Sequence, residues 1–147
     1  MRRSGPPNEL EVLAPVRLRF INHACLAIED DTGILLLDPW LEGLAFNNSW
    51  SLLDQTTSNS ALLESLVEAR KAVTVWYSHE HSDHFSISFL RSLAQVLPSS
   101  TVCFQATLDR RVARFIEGTG LRAVELNGER FPVTEMIDLW CWPHEGG

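Results

Sequence analysis

Three of the five histidines of this 147-residue chain fall in one stretch, SHEHSDHF, residues Ser78 to Phe85, which also carries Glu80 and Asp83. In an extended segment, side chains two residues apart project to the same side, so His79 and His81 can aim both imidazoles at one point. That is the geometry of two ligands on one metal ion. Asp83 and His84 come where the chain turns into a helix starting near Ser86. They are expected to point elsewhere, which suits a second ion a few ångströms away. The positive end of that helix favours ionised Asp83 and neutral His84, the forms that bind metal. A polar loop with Asp83 as an ordinary helix cap is the plainer alternative, but four potential ligands in six positions at a strand end favour a metal centre. Glu80 and Ser82 occupy the alternate positions and face away. Imidazole and carboxylate suit zinc, iron and manganese alike, and the stretch has room for one ion or two.

The elements that must position these residues are legible in outline. The apolar run AVTVWY, directly before the histidines, predicts a buried strand that delivers them at its C-terminal end. After them, SISFLRSLAQVLP predicts a helix with Ser86 as its cap, Ile87, Leu90, Leu93, Ala94 and Leu97 on one stripe, and Pro98 as its stop. Upstream, VRLRFINHACLAIE reads as one strand from Val16 to Glu29, turning at DDTG into the nearly continuous apolar strand ILLLDPW. That second strand should end at Asp38, because Pro39 has no N–H for a ladder, and it leaves the carboxylate at the edge of the strand. LEGLAFNNSWSLLDQTTS is a long irregular connection, a type of segment that often serves a site. A helix is expected from Ala61 to Arg70, with Asn59 and Ser60 as cap candidates. TVCFQA predicts a strand, LDRRVARFIEGTG a helix closed by glycine, LRAVELNGERFPV an Asn-Gly hairpin, and EMIDLWCWPHEGG a strand running into a terminal loop. Together these make an α/β layered domain over residues 15–147, preceded by a flexible tail over residues 1–14.

Composition narrows the function. With 45% hydrophobic residues the chain can bury a real core, and its formal charge of −7 argues against binding nucleic acid over the general surface. A small anionic substrate held by a few local cations is compatible with it. The arginines of DRRVARF offer such a patch, against the simpler reading of a solvated helix face. No run approaches the ~20 apolar residues that span a bilayer. Cys25, Cys103 and Cys141 are odd in number and widely spaced, and the N-terminal stretch lacks a signal-peptide core, so the expected setting is soluble, reducing and cytoplasmic.

The HEHSDH run matches the H-x-H-x-D-H pattern of the metallo-β-lactamase superfamily. INHACLAIEDDTGILLLDPWLEGLAFNNSWSLL is further similar to the start of the lactamase-like domain of CMP-N-acetylneuraminate hydroxylase-like proteins, with ascorbate-phosphate lactonases as more distant relatives. The resemblance runs from Val16 onward. It implies an αββα sandwich with the active site along one edge of the paired sheets. It further implies that His79 and His81 share the first metal with a third histidine, for which His144 is the candidate, while Asp83 and His84 hold the second. Asp38 resembles the aspartate that supports ligand histidines from behind, with a capping role at DPW as the equal alternative. His23 reads as a core or supporting histidine rather than a direct ligand.

The family pattern also needs a shared aspartate, a further histidine and most of a second sheet. The chain stops at HEGG, so the expectation is a sandwich truncated to its N-terminal half. Its uncovered apolar face would favour a homo-oligomer or a completing partner chain. The function implied is a metal-dependent hydrolase acting on a small-molecule ester, lactone, amide or phosphoester, with Asp83 also orienting the attacking water. Two alternatives stand beside it: the lactamase-like component of a sialic-acid hydroxylase-type oxidoreductase, and a non-catalytic remnant. Against autonomous redox chemistry, Cys141 and His144 in CWPH form only half of a Rieske pattern, and the other Cys-His pair is missing.

Overall fold

The computed structural model describes residues 15–142; the tail expected over residues 1–14 and His144 lie outside the described residues. In chain order the elements are β1 (Arg17–Asn22), β2 (Cys25–Glu29), β3 (Gly33–Leu37), β4 (Leu44–Ala45), β5 (Trp50–Ser51), α1 (Asn59–Ala69), β6 (Ala72–Tyr77), α2 (Ile87–Val96), β7 (Thr101–Gln105), α3 (Arg111–Gly118), β8 (Arg122–Leu126), β9 (Arg130–Pro132) and β10 (Asp138–Trp140). One six-stranded sheet in the order β1-β2-β3-β6-β7-β8 organises the fold. β1, β2 and β3 form an antiparallel meander, and from β3 through β6 and β7 to β8 the pairing is parallel. Each parallel step requires a crossover, and α1, α2 and α3 supply the three.

All three helices pack on one face. Cys25, Ala27, Ile34, Leu36, Val73, Val75, Tyr77, Val102 and Phe104 project from alternate strand positions into one core with Leu62, Leu63 and Leu66 of α1, Phe89, Leu90 and Leu93 of α2, and Ala113 and Ile116 of α3. Burying each large aliphatic side chain there contributes about 1.5–3 kcal/mol. The helical stripe expected for α2 is shifted, since Phe89 joins Leu90 and Leu93 inside while Ile87 is exposed. On the opposite face, Trp76, Cys103, Val124 and Leu126 are covered by Phe131, Leu139 and Cys141, so the β9–β10 ladder begins a second layer. Leu18 and Phe20 of β1 lie in register with Ile28 and Leu26 on this same side and are exposed, as expected for a sandwich face only partly covered.

Three local expectations are corrected. Val16–Glu29 is two strands, because the chain reverses at His23 and Ala24. His23 takes a left-handed φ of 48°, and Asn22 is anchored from outside the strand, its Nδ2 donating to the Asp54 carbonyl (2.8 Å) and Thr57 Oγ1 (2.7 Å). A continuous apolar pattern conceals such a reversal. The Asn-Gly pair does not close a hairpin: β8 pairs with β7 while β9 pairs with β10, and the Gly128 N–H donates to the Cys141 carbonyl (2.9 Å). The turn carries the chain out of the main sheet into the second layer, where Phe131 and Leu139 find apolar cover. Finally, α1 starts at Asn59, two residues earlier than expected, because Ser58 is its cap, accepting the Ala61 N–H at 3.2 Å.

The turn between β2 and β3 is tied to the second layer. Buried Asp30 accepts the Thr32 N–H and hydroxyl (both 2.8 Å) and the Gly33 N–H (3.0 Å) on Oδ1, and the Thr134 hydroxyl on Oδ2. Burial acts to raise the Asp30 carboxyl, but the hydrogen bonds from Thr134, Thr32 and Gly33 outweigh it and hold it well below the usual carboxylate range. A depressed carboxyl adds stability that is complete above the unfolded value near ~4 and is lost as pH falls through the folded value. Asp30→Asn should therefore lower the urea unfolding free energy by about 1–3 kcal/mol at neutral pH and flatten its decline below about pH 4. A variant whose acid limb matches the parent's would show that Asp30 is not the group responsible. Gly33 admits no side chain, since a Cβ there would lie 2.6 Å from Thr134 Cγ2 and 3.3 Å from the Ala72 carbonyl oxygen. Gly33→Ala should destabilise by about 1–3 kcal/mol in the same assay, and an unchanged midpoint would mean that Thr134 yields freely.

Candidate metal centre

Parallel pairing brings the C-terminal ends of β3 and β6 side by side, the place where open α/β sheets collect functional groups. β3 ends as expected before Pro39. Asp38 adopts a left-handed φ of 39°, with its N–H donating to the Trp76 carbonyl (2.9 Å) and its carbonyl accepting the Trp40 N–H (2.8 Å). Its buried carboxylate faces the end of β6, where Oδ1 accepts the Ser78 N–H (2.8 Å) and Oδ2 accepts the Ser78 hydroxyl (2.7 Å). The same Oδ2 lies 3.0 Å from His84 Nδ1. An ionised carboxylate only accepts, so Nδ1 must donate, and a neutral His84 then presents its lone pair on Nε2.

That nitrogen lies 3.5 Å from Asp83 Oδ2, and His23 Nε2 lies 3.2 Å from the same oxygen. Among the described residues, His23, Asp83 and His84 each offer one ligand atom, all within 4.8 Å of one another. A tetrahedral ion with bonds of ~2.0–2.1 Å holds its ligand atoms roughly 3.3–3.4 Å apart, close to the two separations about Asp83 Oδ2. Asp83 is buried, and its Oδ1 has no hydrogen-bond partner among the described residues. An ionised carboxylate oxygen left this way is costly, and a cation is the partner that removes the cost.

His79 and His81 stand next to this group. Their ring centroids are 4.5 Å apart at an interplanar angle of 76°, an edge-to-face contact. The His79 ring is nearer still to that of His84, at 4.2 Å, and its Nδ1 lies 2.8 Å from Ser78 Oγ. Desolvation first, then the neighbouring His84 and His81, hold His79 below the usual imidazole value, which favours the neutral form that coordinates metal. Glu80 faces away as expected, meeting Arg111 at 3.1 Å. Ser82 Oγ accepts the Phe46 N–H at 3.0 Å, which ties the long irregular connection to the histidine turn.

Two expectations change here. Asp83 and His84 do not point away from His79: the turn after His81, closed by the His84 N–H on the His81 carbonyl (3.0 Å), folds the His84 ring back beside it. Of the core and supporting readings of His23, the core one does not hold. Its side chain is 28% exposed, it contacts Asp83 directly, and it sits edge-on to Trp40 (5.5 Å) and Trp50 (5.7 Å). Sixty residues separate His23 from Asp83 in sequence, so no local spacing rule reveals the pairing. Asp38 is where the sequence placed it, behind a histidine of the group.

A family model described as "Beta-lactamase superfamily domain" matches residues 17–137. The chain is 30% identical over 137 residues to the cytidine monophosphate-N-acetylneuraminic acid hydroxylase of Danio rerio, covering 92% of this chain and 22% of that protein. It is also 30% identical over 132 residues to the inactive cytidine monophosphate-N-acetylneuraminic acid hydroxylase of Homo sapiens, covering 90% of this chain and 25% of that protein. The chain thus spans about a quarter or less of the curated relatives it matches. Among solved structures, a possible metal-dependent hydrolase from Veillonella parvula superposes with a TM-score of 0.50 at 20% identity, over 80% of this chain and 43% of that one, a likeness of fold.

The Asp38 bonds make a clear test. Asp38→Ala strips acceptors from the Ser78 N–H and His84 Nδ1, and should lower the unfolding free energy by about 1–3 kcal/mol. In nitrogen-15 spectra of the imidazole rings, the fixed Nδ1–H tautomer of His84 should be lost. A His84 ring that keeps that tautomer in the variant would show that something other than Asp38 orients it.

Proposed function

The chain belongs to the beta-lactamase superfamily, and on that premise we propose that it carries the metal-binding part of a metal-dependent hydrolase cleaving a small-molecule ester, lactone, amide or phosphoester. The observation that carries this reading is the convergence of His23 and His84 on Oδ2 of buried Asp83, whose other carboxylate oxygen, Oδ1, has no hydrogen-bond partner among the described residues. His79 and His81 would hold one ion, with His144 as their third histidine. Asp83 and His84 would hold the other, and the separations around Asp83 Oδ2 add His23 to that set. A bound divalent ion of the zinc type supplies the Lewis acidity that makes water nucleophilic near neutral pH, and iron or manganese suits the same ligands.

The protein's own groups then have distinct tasks. Asp38 fixes the His84 ring and its tautomer, so that Nε2 is aimed before any ligand arrives. Asp83 would both hold the ion and orient the attacking water. A reducing, cytoplasmic setting agrees with three free, buried thiols, of which Cys25 and Cys103 are pushed up to about 12 chiefly by burial.

A second reading has its own support, since the curated relatives are named as hydroxylases. In that reading the chain is a lactamase-like component of an oxidoreductase, and iron content with dependence on an added reductase separates it from the hydrolase.

Elemental analysis tests the metal site directly. Purified parent protein should retain about one to two divalent ions per chain, and His79→Ala with His81→Ala should lose at least half of that content. A chelator should abolish hydrolysis of generic lactone or phosphoester substrates, with activity returning on adding zinc. Equal metal content in parent and double variant, or a parent that holds no ion after gel filtration and cleaves nothing, would leave a non-catalytic domain.

A further inference from the structure

A cleft of about 620 Å³ opens beside His23, between the β1–β2 turn and the long connection after β3. Trp40 forms a buried wall, while Trp50 is half-exposed. Both indoles are T-shaped against the His23 ring, whose Nε2 lies on Asp83, so the cleft adjoins the candidate metal centre. Its polar lining consists of Asn22, His23, Ser51, Asp54 and Gln55. Among the described residues, no lysine or arginine lines it. Both N–H bonds of the Asn22 amide are engaged by the Asp54 carbonyl and Thr57, and the Gln55 amide nitrogen turns to the Leu52 carbonyl (3.4 Å). Asp54 contributes a carboxylate held below its ordinary value by the Thr56 hydroxyl and then by the Thr56 N–H, so it is ionised at neutral pH.

Such a lining is hostile to an anion and favourable to a positive charge. Indole faces carry negative electrostatic potential, and an ammonium group near one gains further when a carboxylate stands beside it. We propose that this cleft binds an organic cation, a quaternary or protonated amine, held between the indole of Trp50 and the carboxylate of Asp54. The identity of that cation as part of the substrate rests on the hydrolytic reading above; its binding does not. The lining thereby runs against the small anionic substrate that the composition had left open, at least for the group seated here.

Choline and its uncharged isostere 3,3-dimethylbutan-1-ol make the test, titrated separately into chelator-treated protein while the backbone amide resonances of residues 51–55 are followed by NMR. Choline should bind at least about tenfold more tightly than the alcohol, and inorganic phosphate should leave these resonances unmoved. Trp50→Ala should weaken choline about tenfold and Asp54→Asn about threefold. Trp50 is half-exposed, and Trp50→Phe, which keeps an aromatic face, should restore most of the binding. Equal affinity for the two probes, an effect of phosphate, or choline binding indifferent to both substitutions would overturn the proposal. Because the titration requires neither metal nor turnover, choline binding by a protein that as purified, before any chelator, held no metal would sink the hydrolytic reading and leave the cation cleft standing. Metal-dependent hydrolysis without choline binding would do the reverse.

Discussion

The carboxylate of Asp38 is the constraint on which the site depends. It stands at the end of β3 and accepts the main-chain N–H and hydroxyl of Ser78, the first residue beyond β6, together with the Nδ1 side of His84. One buried group thereby fixes the exit direction of the histidine segment and the orientation of a ring six residues further on. Its left-handed backbone is strained for a non-glycine residue, and Pro39 after it precludes a ladder bond that would let the strand run on. Strain of this kind persists where surrounding bonds overdetermine it, as they do here.

The sheet makes that arrangement possible. Parallel pairing of β3 with β6 aligns their carboxyl ends, and the helices burying one face leave those ends open at the rim. The turn at His23, on the other side of the same rim, adds an imidazole from the antiparallel part of the sheet. Three separate chain segments thus meet at Asp83: the β1–β2 turn, the end of β3 acting through His84, and the turn before α2. Each is secured by bonds outside itself, Asn22 to Asp54 and Thr57, Asp38 to Ser78, and Ser82 to Phe46. Such cross-bracing lets a site place ligand atoms to within fractions of an ångström before any ligand is present.

The same bracing shapes the space next to the site. The Asn22 bonds that hold the His23 turn also turn its amide donors into the protein, and the connection carrying Trp50 and Asp54 supplies an aromatic face and a carboxylate. A structural requirement of the turn and the chemical character of the cleft therefore follow from one set of hydrogen bonds.

The sequence alone determined the parts of this protein that rest on local chemistry: the AVTVWY strand, the Ser86-capped helix, and the end of β3 ahead of Pro39. It also carried a family pattern that holds over most of the chain. Only the tertiary structure decided that His23 contacts Asp83, that His84 folds back beside His79, that Val16–Glu29 is broken into two strands, and that the Asn-Gly turn leads out of the main sheet instead of closing a hairpin. The physical reason is common to all but the local turn that starts the fold-back of His84, whose ring Asp38 then holds. Periodicity and capping act over a few residues, whereas these features are fixed by hydrogen bonds and apolar contacts between segments distant in sequence, which no local pattern encodes.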